Sequence, residues 1–355
     1  MADKALLREL TDAFGPSGYE SEPAAIVARE LGKVCKVSRD GLGSVIGRLD
    51  GQGDGPRIMV SAHMDEVGFM VKKVTPDGYV RFLPLGGWTP QVLLGQRVVL
   101  RTRKGDFPGV IGSKPPHEMT EDERKKLPEI DKMYIDFGAR EGFDVERKLG
   151  VRPGDPIVPF SQFTEMAGGL LMAKAWDDRG GCGIIIEIAR ALAKRKHRNT
   201  VYFVGSTQEE VGLRGARTAG DVVKPDVAFA ADVSLCAEGA DTPRKGLAER
   251  LTNGAAILVH DSTMIPNTRL RDFVADTAER RKLRYHFTTV RGGYDTGVIH
   301  IQHGGVPSLV VGWPTRYIHA HAGVIAEGDY DAVVKLLTAA IESLDAAVSA
   351  SLRAF

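Results

Sequence analysis

Cysteine is scarce. The 355-residue chain carries three (Cys35, Cys182 and Cys236), an odd set with no CxxC pair, which argues against a disulfide framework. Cys182 and Cys236 fall near other polar candidates but read as small buried residues rather than ligands. No apolar run approaches the roughly 18 residues of a membrane span. Neither sign of charge is in excess: Lys and Arg total 47, Asp and Glu 46, a net charge of +1. Nothing there favours nucleic acid or an anionic membrane surface as partner. Internal repeats and low-complexity tracts are absent too. The opening MADKALLRELTDAF is an amphipathic helical stretch without the basic and apolar blocks of a signal peptide. The expectation is a cytoplasmic protein with no membrane and no nucleic-acid partner.

What is present suits a globular protein: 43% hydrophobic and 26% charged residues, in a chain long enough for one large α/β domain and a smaller one. LLRELTDAF and EPAAIVARELGK flank the turn GPSG with helical spacing. Short strands follow in VCKVSRD, GSVIGRLD and RIMVSAH. From residue 67 to residue 163 β-type runs (GFMVKKV, YVRFLP, RVVLRT, FPGVIG, KMYIDFGA) alternate with Gly/Pro turns, which predicts a β-rich insert. Within it, IGSKPPHEMTEDERKKLPEIDK reads as a solvated, mobile loop, with His117 nearest its stem. From Leu170 strands and helices alternate to the end, closing on the helix DYDAVVKLLTAAIESLDAAV. The fold class expected is α/β, with residues 1–66 and 164–355 forming one discontinuous domain around the insert.

Five metal-type ligands lie at or near the ends of apolar, strand-like runs: His63 in VSAHMDE, Asp177 in KAWDDRGG, Glu210 in STQEEVG, Asp232 in FAADVS and His319 in RYIHAHAG. Ligands at the carboxyl ends of neighbouring strands of an α/β sheet converge on one crevice. Two histidines and three carboxylates suit a pair of divalent metals sharing one bridging carboxylate, for which Asp177 is the candidate. In His63-Met-Asp65 the two side chains point the same way on an extended backbone, so Asp65 can accept the second imidazole N–H. The adjacent glutamates point to different sides, so one of Glu209 and Glu210 can ligate while the other faces an attacking water. Each motif alone has a blander reading. Asp178 can serve as a helix cap, HxD can be incidental, and His321 rivals His319 on spacing.

Taken together, GPSGYE, AHMDEVGFMV, IGSKPPH, AWDDRGG, TQEEVGLRGA, ADVS, GGYDTG and RYIHA resemble, in order and over nearly the whole chain, the tetrahedral (TET) aminopeptidases. That family of two-metal peptidases includes glutamyl and deblocking aminopeptidases. The resemblance implies a three-layer catalytic domain in which His63, Asp177 and Asp232 hold one ion and Asp177, Glu210 and His319 the other. It implies Zn or Co, with Mn an alternative, and selects His319 over His321. It casts Glu209 as general base, Asp65 as the partner of His63, and the Asp177–Asp178 peptide as cis. It also implies peptide substrates, a PDZ-like dimerisation role for the insert, and a tetrahedral homododecamer built from dimers. Ala320, Gly323 and the Gly292-Gly293-Tyr294-Asp295 run depart from the family pattern without touching a ligand. Arg214, Arg217, Arg244 and Lys245 follow the candidate segments and could favour acidic substrates. The rival readings are a deacylase or carboxypeptidase on the same metal core, or a peptide-binding assembly protein without chemistry.

Overall fold

Four apolar runs lie side by side and parallel, in the order Thr200–Ser206, Arg57–His63, Val227–Ala230 and Ser308–Thr315. They form the centre of a nine-stranded mixed sheet in the computed structural model, which describes residues 2–242 and 248–353. Antiparallel Lys36–Arg39 and Val45–Leu49 extend one side. Ala255–His260 and Tyr285–Thr289 extend the other, and the short strand Val233–Leu235 pairs with the end of Ser308–Thr315.

The central strands are apolar at nearly every position because both faces are covered. Ile58, Val60, Phe203, Phe229 and Leu309 pack under the helices Lys4–Asp12, Ser21–Leu31, Trp176–Leu192, Thr268–Arg281 and Glu327–Ser343. Met59, Val204 and Ala228 turn the other way, onto Arg214–Val223 and Thr296–Ile299. The result is a three-layer α/β arrangement. Two of these helices start on polar caps: the Asp3 side chain accepts the Leu6 N–H and the Asn267 side chain the Leu270 N–H.

Between Gly68 and Pro159 six strands close into a small barrel with a separate core that includes Phe69, Phe82, Leu100 and Ile135. Inside this stretch, the tract expected as a solvated, mobile loop is mostly exposed and carries local order. Thr120 and Glu123 form a reciprocal capping box on a short helix, Glu121–Arg124, and single 3-10 turns span Pro116–Glu118 and Ile130–Lys132.

A second difference concerns the strand before Asp177. Leu170–Ala173 is not a member of the large sheet; it pairs antiparallel with Thr164–Met166 and Gly323–Ala326 in a separate three-stranded sheet. Its apolar residues match a buried strand in any sheet, so sequence pattern could not say which one. Asp177 therefore reaches the crevice from the distorted first turn of the helix Trp176–Leu192, where Asp177 and Asp178 have non-helical dihedrals.

Candidate metal centre

At the carboxyl ends of the parallel strands the chain brings His63, Asp177, Glu209, Glu210, Asp232 and His319 together. His63 ends its strand, Asp232 follows Val227–Ala230, and Glu209 and Glu210 follow Thr200–Ser206. His319 stands four residues beyond the end of Ser308–Thr315. Asp177 lies between the two rings. Its Oδ1 is 2.9 Å from His63 Nε2 and its Oδ2 is 3.2 Å from His319 Nε2. Glu210 Oε1 is 3.3 Å from His319 Nε2, while Glu209 Oε2 and Asp232 Oδ2 lie 3.8 and 4.0 Å from His63 Nε2. Adjacent glutamates thus serve opposite rings. Two donors on one tetrahedral ion at 2.0–2.2 Å stand about 3.4 Å apart, close to these separations.

The tautomer of His63 follows from its neighbours. Nδ1 is 3.0 Å from the Asp65 backbone carbonyl, which can only accept, so Nδ1 carries a hydrogen and the Nε2 lone pair is left for a cation. The Asp65 carboxylate, expected as that partner, is 3.5 Å away. It is occupied mainly with the next loop, accepting the backbone N–H groups of Glu209 (2.9 Å) and Glu210 (3.1 Å) and the Ser17 hydroxyl (2.6 Å). One buried carboxylate therefore ties the His63 strand to the turn that presents both glutamates.

Asp178 lies within reach of His63 and Asp232, so proximity alone admits it as a ligand. Its oxygens are otherwise engaged: Oδ2 accepts the His63 N–H (3.0 Å) and Oδ1 the Gly181 N–H (3.1 Å). Both oxygens of Asp177 face imidazoles instead. The peptide joining the two aspartates is cis. His321 turns away, its ring buried 5.6 Å from Trp88, and burial pushes its pKa down to about 4.

The electrostatics call for positive charge. Burial pushes the Glu209, Glu210 and Asp232 carboxyls up, and neighbouring carboxylates add to it. Burial also opposes ionising Asp177, but hydrogen bonds and charge from His319 and His63 outweigh it and hold its pKa low. The His319 ring loses solvation, yet Asp177 and Glu210 raise it to about 11, and His63 is raised for the same reason by Glu209, Asp177 and Asp65. A potential that retains protons on these two imidazoles equally favours cations in their place. Oxygen and imidazole donors, buried or half-buried and without a Lys or Arg among the groups acting most on them, fit divalent metal ions.

The surrounding scaffold is rigid. Arg179, fully buried, donates to the carbonyls of Met64, Leu10, Ala13 and Gly15, and so ties the N-terminal helix to the residue between His63 and Asp65. Ala175, Gln208, Leu213, Tyr317 and His319 have φ near +55 to +60°, a left-handed conformation that non-glycine residues seldom adopt, and all flank the crevice. Sequence reasoning missed the barrel's contribution. At Gly86 a Cβ would meet Glu210 Oε2 at 3.0 Å, and at Gly87 it would meet His319 Nδ1 at 3.2 Å. The only local signal is a Gly pair after a strand, in PLGGW.

Fold and crevice together define a mixed α/β protein with a set of clustered acidic and histidine groups that could hold metal. Residues 43–336 match the family model of the M42 glutamyl aminopeptidases. The chain is 36% identical over 346 residues to the glutamyl aminopeptidase of Lactococcus lactis, covering 96% of each protein. Among solved structures, a TET aminopeptidase from the archaeon Thaumarchaeota SCGC AB-539-E09 aligns with TM-score 0.94 and 40% identity over 98% of both chains. The TET1 peptidase of Pyrococcus horikoshii, described as assembling into a tetrahedron or a large octahedral shell, aligns at 0.85 and 29% identity, over 96% of this chain and 99% of that one. The chain belongs to the M42 aminopeptidase family and is a peptide hydrolase.

Proposed function

We propose that the chain is a two-metal aminopeptidase that removes N-terminal residues from peptides. The observation carrying this reading is Asp177, with one carboxylate oxygen against each histidine of the pair. His63, Asp177 and Asp232 would hold one ion and Asp177, Glu210 and His319 the other, with Zn or Co ahead of Mn. When bound, such ions supply Lewis acidity to the scissile carbonyl and lower the pKa of the attacking water. Glu209, largely buried and on the crevice side opposite Glu210, takes the proton from that water and passes it to the leaving amine. Burial, which raises the Glu209 carboxyl, suits it to both halves of that transfer. Asp65 holds the Glu209–Glu210 turn against the His63 strand.

Peptides with a free N-terminus should lose residues one at a time, and their N-acetylated counterparts should resist. Chromatography of timed digests checks this. Equal cleavage of both would favour a deacylase or carboxypeptidase. Chelation should abolish turnover, and a divalent ion added back should restore it.

We further propose residues 67–163 as an inserted dimerisation domain and 1–66 with 164–355 as the catalytic domain. The exposed apolar side chains Leu83, Leu94, Val110 and Phe160 on the barrel stretch support a contact there. The tetrahedral assembly of the Pyrococcus horikoshii relative supports a closed dodecamer of such dimers. The cysteines are unpaired, and no described helix is long and apolar enough to cross a membrane, in keeping with a cytoplasmic location. Light scattering should give about twelve copies of the 38.4 kDa chain. A fully active monomer would remove the assembly, and a stable dimer would leave only the dimer contact.

A further inference from the structure

We infer that the cavity beside the metal centre selects uncharged, apolar N-terminal side chains of the Leu and Met kind over Glu or Lys. The inference rests on the aminopeptidase reading and goes beyond it to the substrate class. A cavity of about 470 Å³ opens from Asp177, Glu209, Glu210, Asp232 and His319. Its remaining wall is built from Leu213, Leu235, Val290, Ile318, Tyr294 and Thr263, with glycines 292 and 293 between them.

Only two of these wall side chains carry a polar atom, and both have their hydrogens committed. The Tyr294 hydroxyl donates to the Val233 carbonyl (2.9 Å), and the Thr263 hydroxyl donates to Asp261 Oδ1 (2.7 Å). Among the described residues the lining includes no Lys or Arg. Beyond the proposed metal ligands, a glutamyl carboxylate reaching this wall would find no side-chain donor among the described residues. A lysyl ammonium would leave water for an apolar wall. Burying an unpaired charge costs far more than burying a methylene gains, so both should be rejected strongly.

The basic residues that suggested an acidic substrate stand elsewhere. Arg214 is exposed and bonded to Gln208 Oε1 (3.1 Å), and Arg217 is exposed and outside the lining. Arg244 and Lys245 lie outside the described residues. Space also limits change on this side: a Cβ on Gly293 would stand 2.7 Å from Thr263 Cγ2.

The test compares kcat/KM for X-Ala dipeptides, with X being Leu, Met, Ala, Glu or Lys, on metal-replete protein. Leu and Met should lead Glu and Lys by about 100-fold or more. Brisk cleavage led by Glu or Lys would leave the aminopeptidase standing and overturn the apolar wall. Failure to cleave any of the five would instead remove the aminopeptidase reading and this inference with it. In Val290→Lys the Glu-to-Leu ratio should rise by at least about 10-fold; an unchanged ratio would place the side chain elsewhere. A glutamyl preference lost in an Arg244→Ala, Lys245→Ala double variant would assign selectivity to those two residues and overturn the proposal.

Discussion

Asp177→Asn should empty both metal positions and lower kcat/KM by at least about 10³-fold, the largest effect expected of any single change in this chain. The amide keeps the shape of the side chain but loses the charge that faces both rings, at 2.9 Å from His63 and 3.2 Å from His319. An ion of either pair would then keep one carboxylate and one imidazole. Several kcal/mol of transition-state stabilisation depend on such ions, which sets the scale. Circular dichroism beside the metal content separates this from misfolding, and the fold should survive because Asp178 still anchors the His63 and Gly181 N–H groups. Glu210→Gln and His319→Ala should each lose one ion and keep the other. If Asp177→Asn retained two ions per chain, the carboxylate would not be shared. The bridging role would then pass to another group.

Glu209→Gln should behave differently, losing at least about 100-fold in kcat while binding metal normally. Glu209 stands 3.8 Å from His63 Nε2, about as far as Asp232 at 4.0 Å, and it is the proposed arrangement that gives it the water rather than an ion. The backbone N–H of position 209 bonds to Asp65 whatever the side chain, so the turn should survive the change. Equilibrium dialysis against the chosen ion, set beside kcat on a free-amine peptide, gives the two readouts. Poor metal binding in Glu209→Gln with normal binding in Glu210→Gln would exchange the two roles.

Much of this crevice could be read from the chain because the relevant physics is local. An apolar run buried on both faces announces a central parallel strand, and a carboxylate or histidine at its end has few uses in a core. His63, Asp232 and the Glu209–Glu210 pair are visible on those grounds. Choices between neighbours are not. Asp177 and Asp178 are the same residue type at adjacent positions. What separates them is that Asp178 is turned onto the N–H of His63, 115 residues away, and Asp177 onto two imidazoles. His319 and His321 are separated by Trp88, which packs against His321 from the barrel. Asp65 reads as a partner of His63 on spacing, yet its carboxylate spends its best hydrogen bonds on a loop 144 and 145 residues distant.

The sequence by itself determined the α/β alternation, the β texture of residues 67–163, the amphipathic helical stretches and the kinds of ligand available. Each of these follows from side-chain periodicity, capping and turn chemistry within a few residues. Tertiary structure alone decided that Leu170–Ala173 joins a separate small sheet. It alone shows that Asp178 turns onto backbone N–H groups and His321 onto Trp88, and that Gly86 and Gly87 of the barrel press against Glu210 and His319. These outcomes depend on which surfaces meet after the chain closes on itself. Contacts between residues a hundred or more positions apart leave no period in the sequence from which they could be read.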